Sequence, residues 1–303
     1  MSTESITAAT GQILITGANK GIGLATARAV LEQQPDVSVL LGSRDPLRGQ
    51  SAIDDLLNEQ PNWSERLSLL EIDVASDSSV LAARDILLAG SGENSRPLYG
   101  IVNNAGTGFG STDFAGVIQV NTIGVKRVCE AFMPLLREGG RVVNIASASG
   151  PNFVEQCSRD RRRFFQDDTL QWADVEQLIE AALVTEGDAE LLDALGLGDG
   201  GAYGFSKACV NLYTIILARQ HPQFTINACT PGYIETDLTR PTAEARGMTP
   251  AEAGMKPPMA GTVAPLFLLF GSPQGSGHYY GSDARRSPLD RYRAPGSPEY
   301  RDP

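Results

Sequence analysis

Tyr203 and Lys207 lie four residues apart in the run Tyr203-Gly204-Phe205-Ser206-Lys207, a spacing that on a helix puts a phenol and an ammonium on one face, one turn apart. Such a pair can move a proton. A tyrosine with its ordinary pKa of about 10 must shift to near 7 to exchange a proton readily at neutral pH. That shift is equivalent to about 4 kcal/mol of preferential stabilisation of the phenolate. A neighbouring cation has the right sign, whereas burial raises the pKa of a tyrosine. Lys207 is therefore expected to pull Tyr203 down, aided by any positively charged ring bound beside it. The same spacing also occurs as a plain surface pair, so its meaning depends on what converges with it.

Ser147 ends the apolar run Asn144-Ile145-Ala146-Ser147, and Asn121 sits in a helix-like segment after Asn103-Asn104-Ala105-Gly106. With only His221 and His278 in the chain, a His-rich metal site or a Ser-His-Asp triad is not expected, and no metal ligands are assigned. Cys129, Cys157, Cys209 and Cys229 lack C-x-x-C spacing and read as reduced packing residues.

A second kind of chemistry is written near the N-terminus. The run Thr16-Gly17-Ala18-Asn19-Lys20-Gly21-Ile22-Gly23 follows the strand-like Ile13-Leu14-Ile15 and opens a helix-like segment. Gly17 permits a tight turn, and bare backbone at Gly21 and Gly23, either side of Ile22, lets a pyrophosphate approach a helix N-terminus, so a dinucleotide is expected here, with Ile22 among its contacts. The spacing is G-x-x-x-G-x-G rather than G-x-G-x-x-G. After the next strand comes Gly42-Ser43-Arg44-Asp45-Pro46-Leu47-Arg48. An acidic residue there would grip ribose hydroxyls. Arg44 instead can hold a 2'-phosphate by two parallel charge-assisted bonds, with Arg48, Lys20 and Asn19 completing the pocket, which favours NADP(H) over NAD. Asp45 is a competing ribose ligand. Asp73-Val74 ends the third strand, where Asp73 either accepts from the adenine amino group or caps the helix starting near Ser76. Ala105 and Gly106 leave room for adenine and ribose, and Asn104 can hydrogen-bond backbone across the sheet.

Placing these residues needs a scaffold. Strand candidates at 12–16, 37–41, 67–72, 99–103, 141–146 and 225–230 alternate with helix-like segments at 23–33, 46–58, 78–88, 118–137 and 203–220. That alternation predicts an α/β fold: a single-domain, Rossmann-like, doubly wound parallel sheet spanning residues 1–281. An acidic insertion at about 150–200, with helical pieces at 174–183 and 189–195, precedes the Tyr203 helix and reads as a solvated cap. Residues 282–303, rich in proline, glycine and charge, are expected to wrap the surface or to be partly disordered.

A chain of 303 residues that is 42% hydrophobic can bury a large core, and 20% charged residues argue against wholesale disorder. A net charge of −11 disfavours nucleic acid and anionic membranes as partners. The opening Met1-Ser2-Thr3-Glu4-Ser5 lacks the order of a signal peptide, and no apolar run is long enough to span a bilayer, so a cytoplasmic location is expected.

The ordered set of Thr16–Gly23, Asn103–Gly106, Asn121, Ser147, Tyr203, Lys207 and Pro231-Gly232 resembles the short-chain dehydrogenase/reductase family, and within it the carbonyl-reductase-like members with an insertion before the tyrosine. The match runs from about residue 12 to 281. The resemblance implies NADPH-dependent reduction of a ketone, aldehyde or quinone to an alcohol. In it Tyr203 is the proton donor, Ser147 orients the carbonyl, Lys207 holds the nicotinamide ribose and Asn121 supports a proton relay. It also implies cofactor contacts from Pro231, Gly232, Ile234 and Thr236, a loop to about residue 258 that closes over the site, and a monomer, because the insertion covers a face other members use to dimerise. Ala146, where serine is common, and the long tail depart from the pattern. Phe153, Trp172, Tyr233 and Met259 are candidates to line the substrate pocket. Alcohol oxidation by the same residues, a catalytically silent NADP-binding regulator and an interaction module built on the insertion are the rival readings.

Overall fold

The computed structural model describes residues 10–90, 97–109, 113–198 and 201–301. The first nine residues, residues 199–200 at the end of the predicted insertion and the last two of the predicted tail lie outside them. Among the described residues seven strands form one parallel sheet: β1 (Gly11–Ile15), β2 (Val37–Ser43), β3 (Leu67–Glu71), β4 (Leu98–Asn103), β5 (Leu136–Ile145), β6 (Thr225–Cys229) and β7 (Tyr279–Tyr280), in the order β3-β2-β1-β4-β5-β6-β7. The order reverses between β1 and β4, which opens a crevice at their carboxyl ends.

Successive side chains on β1 explain the two helical layers. Leu14 points into a core shared with α3 (Asp77–Ala89), α5 (Gly124–Phe132) and α10 (Ala202–Gln220). Ile13 and Ile15 point to the other face, against α1 (Gly21–Gln33), α2 (Pro46–Glu59) and α12 (Val263–Phe270). All seven residues of β2 are buried, as a strand covered on both faces must be. The fold is thus the doubly wound α/β architecture that the alternation predicts.

Two predicted boundaries move. The helix expected over 118–137 begins earlier, as α4 (Phe114–Ile118), passes through a π turn at Gln119–Ile123, continues as α5 and ends in a 3-10 turn at Met133–Leu135. Pro134 lacks the N–H that would carry the helix on. Strand β5 starts at Leu136 rather than Arg141, with a register shift where Leu98 pairs with Leu136 but Gly100 with Arg141. The two-residue β7 is too short for a periodic signal.

The insertion supplies α6 (Ser149–Gln156), α7 (Arg159–Phe164), α8 (Trp172–Val184) and α9 (Ala189–Ala194), and α11 (Arg240–Glu244) lies in the loop after β6. Its outer face is solvated, as expected of a cap. Its inner face is a third core in which Val175, Leu178, Ile179 and Leu192 pack with residues of α10. Phe205 of α10 lies at the centre, with ring centroids 5.8 Å from Phe114, 5.7 Å from Phe153 and 6.5 Å from Phe165. Truncating it with Phe205→Ala is expected to lower unfolding free energy by about 3–5 kcal/mol in denaturant melts. Limited proteolysis should then cut first within residues 157–198, because the insertion loses its anchor before the sheet does.

Candidate active site

Strand β1 delivers the glycine turn to the crevice. Gly17 and Gly21 adopt φ of +60° and +57°, which side chains rarely tolerate. A Cβ on Gly23 would stand 2.4 Å from Asn104 Nδ2 and 2.6 Å from the Gly17 carbonyl oxygen, so this contact admits only backbone. Asn104 Nδ2 donates to the carbonyls of Thr16 (2.9 Å) and Gly17 (3.0 Å), while Thr16 Oγ1 accepts from the N–H groups of Asn104 and Ala105, both at 3.0 Å. These bonds weld the turn to the end of β4. Helix α1 then starts without a capping side chain and without an acid in its first turn, so its N-terminal N–H groups and its positive dipole end are left for an anion. The donor set fits a pyrophosphate.

At the end of β2, Arg44 and Arg48 are exposed. Asp45, the competing ribose ligand, is engaged elsewhere: its Oδ1 caps α2 by accepting from Leu47 N (3.0 Å) and Arg48 N (3.1 Å), and its Oδ2 lies 3.2 Å from Arg48 Nε. Lys20 pairs with Asp237 of the loop after β6 at 2.7 Å, and Asn19 is half-buried in the turn. Beyond β3, Ser76 rather than Asp73 caps α3, so the capping alternative for Asp73 falls. Its carboxylate accepts from Ala75 N (3.0 Å) in a local turn that shapes the crevice edge. Val74 is buried there against Gly124. Arg127 ties this edge to the π turn, donating to Val74 O (3.1 Å) and to Gln119 Oε1 (3.0 Å).

The π turn carries Asn121, fully buried, whose Nδ2 donates to Thr107 O (3.0 Å) and Ser206 Oγ (3.1 Å) and whose Oδ1 accepts from Thr107 N (2.9 Å). Lys207 reaches across from α10 to donate to Ile145 O at 2.8 Å, and its Nζ stands 5.6 Å from the Tyr203 ring centroid. A Cβ on Gly106 would lie 3.5 Å from Asn121 Oδ1 and 3.6 Å from Lys207 Nζ, so these groups meet around one bare turn. Ser147 and Tyr203 line the same cavity, and Ser147 Oγ accepts from Ser149 N at 3.1 Å. The structure thus brings Asn121, Ser147, Tyr203 and Lys207 to one sheet edge beside the glycine turn.

The electrostatics differ from the sequence-based expectation. Burial pushes the Tyr203 phenol up to about 12, with only the Ser147 hydrogen bond opposing it. Burial also brings the Lys207 ammonium down to about 8. Lys207 spends its bond on a backbone carbonyl and faces the ring rather than the hydroxyl, so desolvation wins and the phenol keeps its proton. The four cysteines are buried and free, and burial raises every one of their thiols.

Above the cluster lies a cavity of about 240 Å³. Ile22, Asn104 and Gly106 line it beside the glycine turn, together with Ser147, Tyr203 and Lys207. Pro231, Gly232, Ile234 and Thr236 line it from the loop after β6, whose two ends are pinched together by the bonds Glu235 N to Lys256 O (2.8 Å) and Lys256 N to Tyr233 O (2.9 Å). Of the four candidate lining residues only Tyr233 faces the cavity. Phe153 is in the insertion core, Trp172 packs edge-on to Tyr213, and Met259 is exposed elsewhere. Sequence reasoning missed Phe109, which meets Tyr203 edge-on at 5.2 Å, and Leu238. It also missed Ser282, Tyr292, Arg293 and Pro295 from the tail, which folds over the site instead of trailing from it.

Comparison with known proteins follows the same lines. The profile of the short chain dehydrogenase family matches residues 12–159. The chain is 34% identical over 268 residues to carbonyl reductase [NADPH] 3 of Rattus norvegicus, covering 82% of this chain and 91% of that one. The chain belongs to the short-chain dehydrogenase/reductase family. Within that family it is also 30% identical to carbonyl reductase [NADPH] 1 of Mus musculus, over 87% of this chain and 92% of that one. Salutaridine reductase from Papaver somniferum shares the fold with a TM-score of 0.73 at 23% identity, covering 89% of this chain and 99% of the other. The NADPH-bound carbonyl reductase from chicken fatty liver does so with a TM-score of 0.63 at 22% identity, covering 92% and 98%. No helix among the described residues is long and apolar enough to cross a membrane.

The depressed pKa of Lys207 predicts a pH dependence of stability. Between about 8 and its ordinary 10.5 the unfolded chain holds a proton that the folded chain has released, so this group's contribution to stability rises with pH across that window. Below 8 the folded state bears the full cost of the buried charge. Urea melts of wild type and Lys207→Met at pH 7 and pH 10 should therefore show the difference moving in favour of wild type by about 2 kcal/mol. A difference that stays constant contradicts a buried ammonium that burial destabilises.

Proposed function

We propose that this family member is an NADPH-dependent carbonyl reductase that converts a ketone, aldehyde or quinone to an alcohol. The observation that carries this reading is that Ser147, Tyr203 and Lys207 meet at one cavity that adjoins the phosphate turn. A protonated Tyr203 is a donor, which is what carbonyl reduction asks of it. The names of the carbonyl reductase relatives point the same way.

Bound NADPH would supply the hydride. Gly17, Gly21, Ile22 and Gly23 with the start of α1 would hold its pyrophosphate, and Arg44, Arg48, Lys20 and Asn19 its 2'-phosphate. Asp73 and Val74 would border the adenine, with Asn104, Ala105 and Gly106 under the ribose and Pro231, Gly232, Ile234 and Thr236 along the nicotinamide side. Tyr203 Oη gives its proton to the carbonyl oxygen while Ser147 Oγ hydrogen-bonds that oxygen as negative charge develops on it. Lys207 orients the ribose beside the phenol. Asn121, held on both amide atoms by Thr107, keeps the π turn in the shape that lets solvent protons return to Tyr203. The same reading has the chain act as a cytoplasmic monomer, since the insertion packs its apolar side onto α10.

NADPH oxidation followed at 340 nm with a panel of ketones, aldehydes and quinones tests the assignment. Tyr203→Phe should lower kcat by about 100- to 10,000-fold with the NADPH KM nearly unchanged, and undiminished turnover would defeat it. Arg44→Ala should raise the KM for NADPH by roughly 10- to 100-fold and leave that for NADH in place, the loss of one charge-assisted phosphate contact.

A further inference from the structure

The tail that composition marks as a surface wrap is a built element. Arg293 is its pin: the side chain is only 6% exposed, and its guanidinium pairs with Asp283 Oδ1. Its Nε donates to Ser287 Oγ (3.0 Å), and one terminal nitrogen donates to the carbonyls of Ser297 (2.8 Å) and Ala294 (3.3 Å). The second oxygen of Asp283 accepts from Gly296 N at 2.9 Å. Three backbone bonds extend the clip, Ser287 N to Tyr279 O (2.9 Å), Gly281 N to Arg285 O (2.8 Å) and Tyr300 N to Arg286 O (3.1 Å). A Cβ on Gly281 would strike Arg293 and Asp283, both at 2.8 Å, so the clip closes only over a bare backbone. Ala284 is held at φ +57°, a conformation a non-glycine residue keeps only where its surroundings over-determine it.

This clip presents Tyr292, itself half-exposed, and Pro295 to the cavity that Tyr203, Lys207, Tyr233 and Phe109 also line. Both cations that border the cavity are engaged, Lys207 by Ile145 O and Arg293 by Asp283. We infer that residues 282–300 form the specificity wall of the substrate cavity, with Tyr292 limiting substrate width and the Asp283–Arg293 pair positioning it, and that this wall favours an uncharged substituent on the substrate. This rests on the carbonyl-reductase reading for the turnover it measures. Asp283 and Arg293 act through Tyr292 as positioning residues. A carboxylate at the end of the substrate that faces the tail meets only Arg293, which is already paired with Asp283, and it loses its hydration.

Wild type, Tyr292→Ala, Tyr292→Phe and Asp283→Asn are compared with NADPH and three ketones: acetophenone, the wider 2-acetylnaphthalene and the anionic 4-acetylbenzoate. Wild type should prefer acetophenone to 4-acetylbenzoate by at least about tenfold in kcat/KM. Tyr292→Ala should raise the ratio of kcat/KM for 2-acetylnaphthalene over acetophenone by roughly tenfold, through KM rather than kcat, while Tyr292→Phe keeps the wild-type ratio. Asp283→Asn should move the ratio the same way and leave the KM for NADPH unchanged. Active variants whose ratio does not move, or a wild type that prefers 4-acetylbenzoate, overturn the inference. If wild type oxidises no NADPH with any ketone, the reductase reading fails. Calorimetric titration of 2-acetylnaphthalene into NADP-saturated protein then decides the wall on its own, an affinity unaltered by Tyr292→Ala refuting it.

Discussion

A single buried hydrogen bond, from Lys207 Nζ to the carbonyl of Ile145, ties the helix that carries Tyr203 to the end of β5. Ser147 follows Ile145 by two residues and Tyr203 precedes Lys207 by one helical turn. This one contact therefore keeps Tyr203 and Ser147 at the same cavity. The contact is possible because α10 lies unusually close to its neighbours: a Cβ on Gly204 would come within 2.9 Å of Phe153, so only glycine lets α6 and α10 meet at that depth. The insertion is part of the same constraint. Its aromatic core presses on Phe205, midway between the phenol and the ammonium along the helix.

Burial is what makes this arrangement chemically one-sided. The charge on Lys207 is desolvated and its main partner is a neutral carbonyl, so its influence on the phenol is weaker than the cost Tyr203 would meet on ionising in the same place. A bound nucleotide brings new charge to this spot, and the chain on its own stays in the protonated form.

The parts of this site legible in the sequence are those encoded by local rules. The glycine turn has a spacing tied to backbone sterics, Tyr203 and Lys207 have a helical period, and Ser147 and Asn104 fall at strand ends, where any α/β sheet opens its crevice. What escaped depends on contacts between distant segments. The Asp45 cap is the exception, a local signal of Asp before Pro46 that the ribose reading passed over, whereas the sign of the Tyr203 shift is decided by how much chain covers it. Tyr292 and Arg293 sit in a stretch whose proline, glycine and charge suggest a loose end. The buried partnership with Asp283 is invisible until the chain is folded. The break at Pro134 was readable in principle, but the apolar period around it masked the missing N–H.

The cysteines, finally, lie on four separate parts of the molecule: α5, the end of α6, α10 and β6. Each thiol is kept from ionising by its burial, and the thiolate is the reactive form. Burial thus shields all four from alkylating reagents while the chain is folded, and as probes distributed over sheet, insertion and helices α5 and α10 their order of labelling would read out which layer opens first.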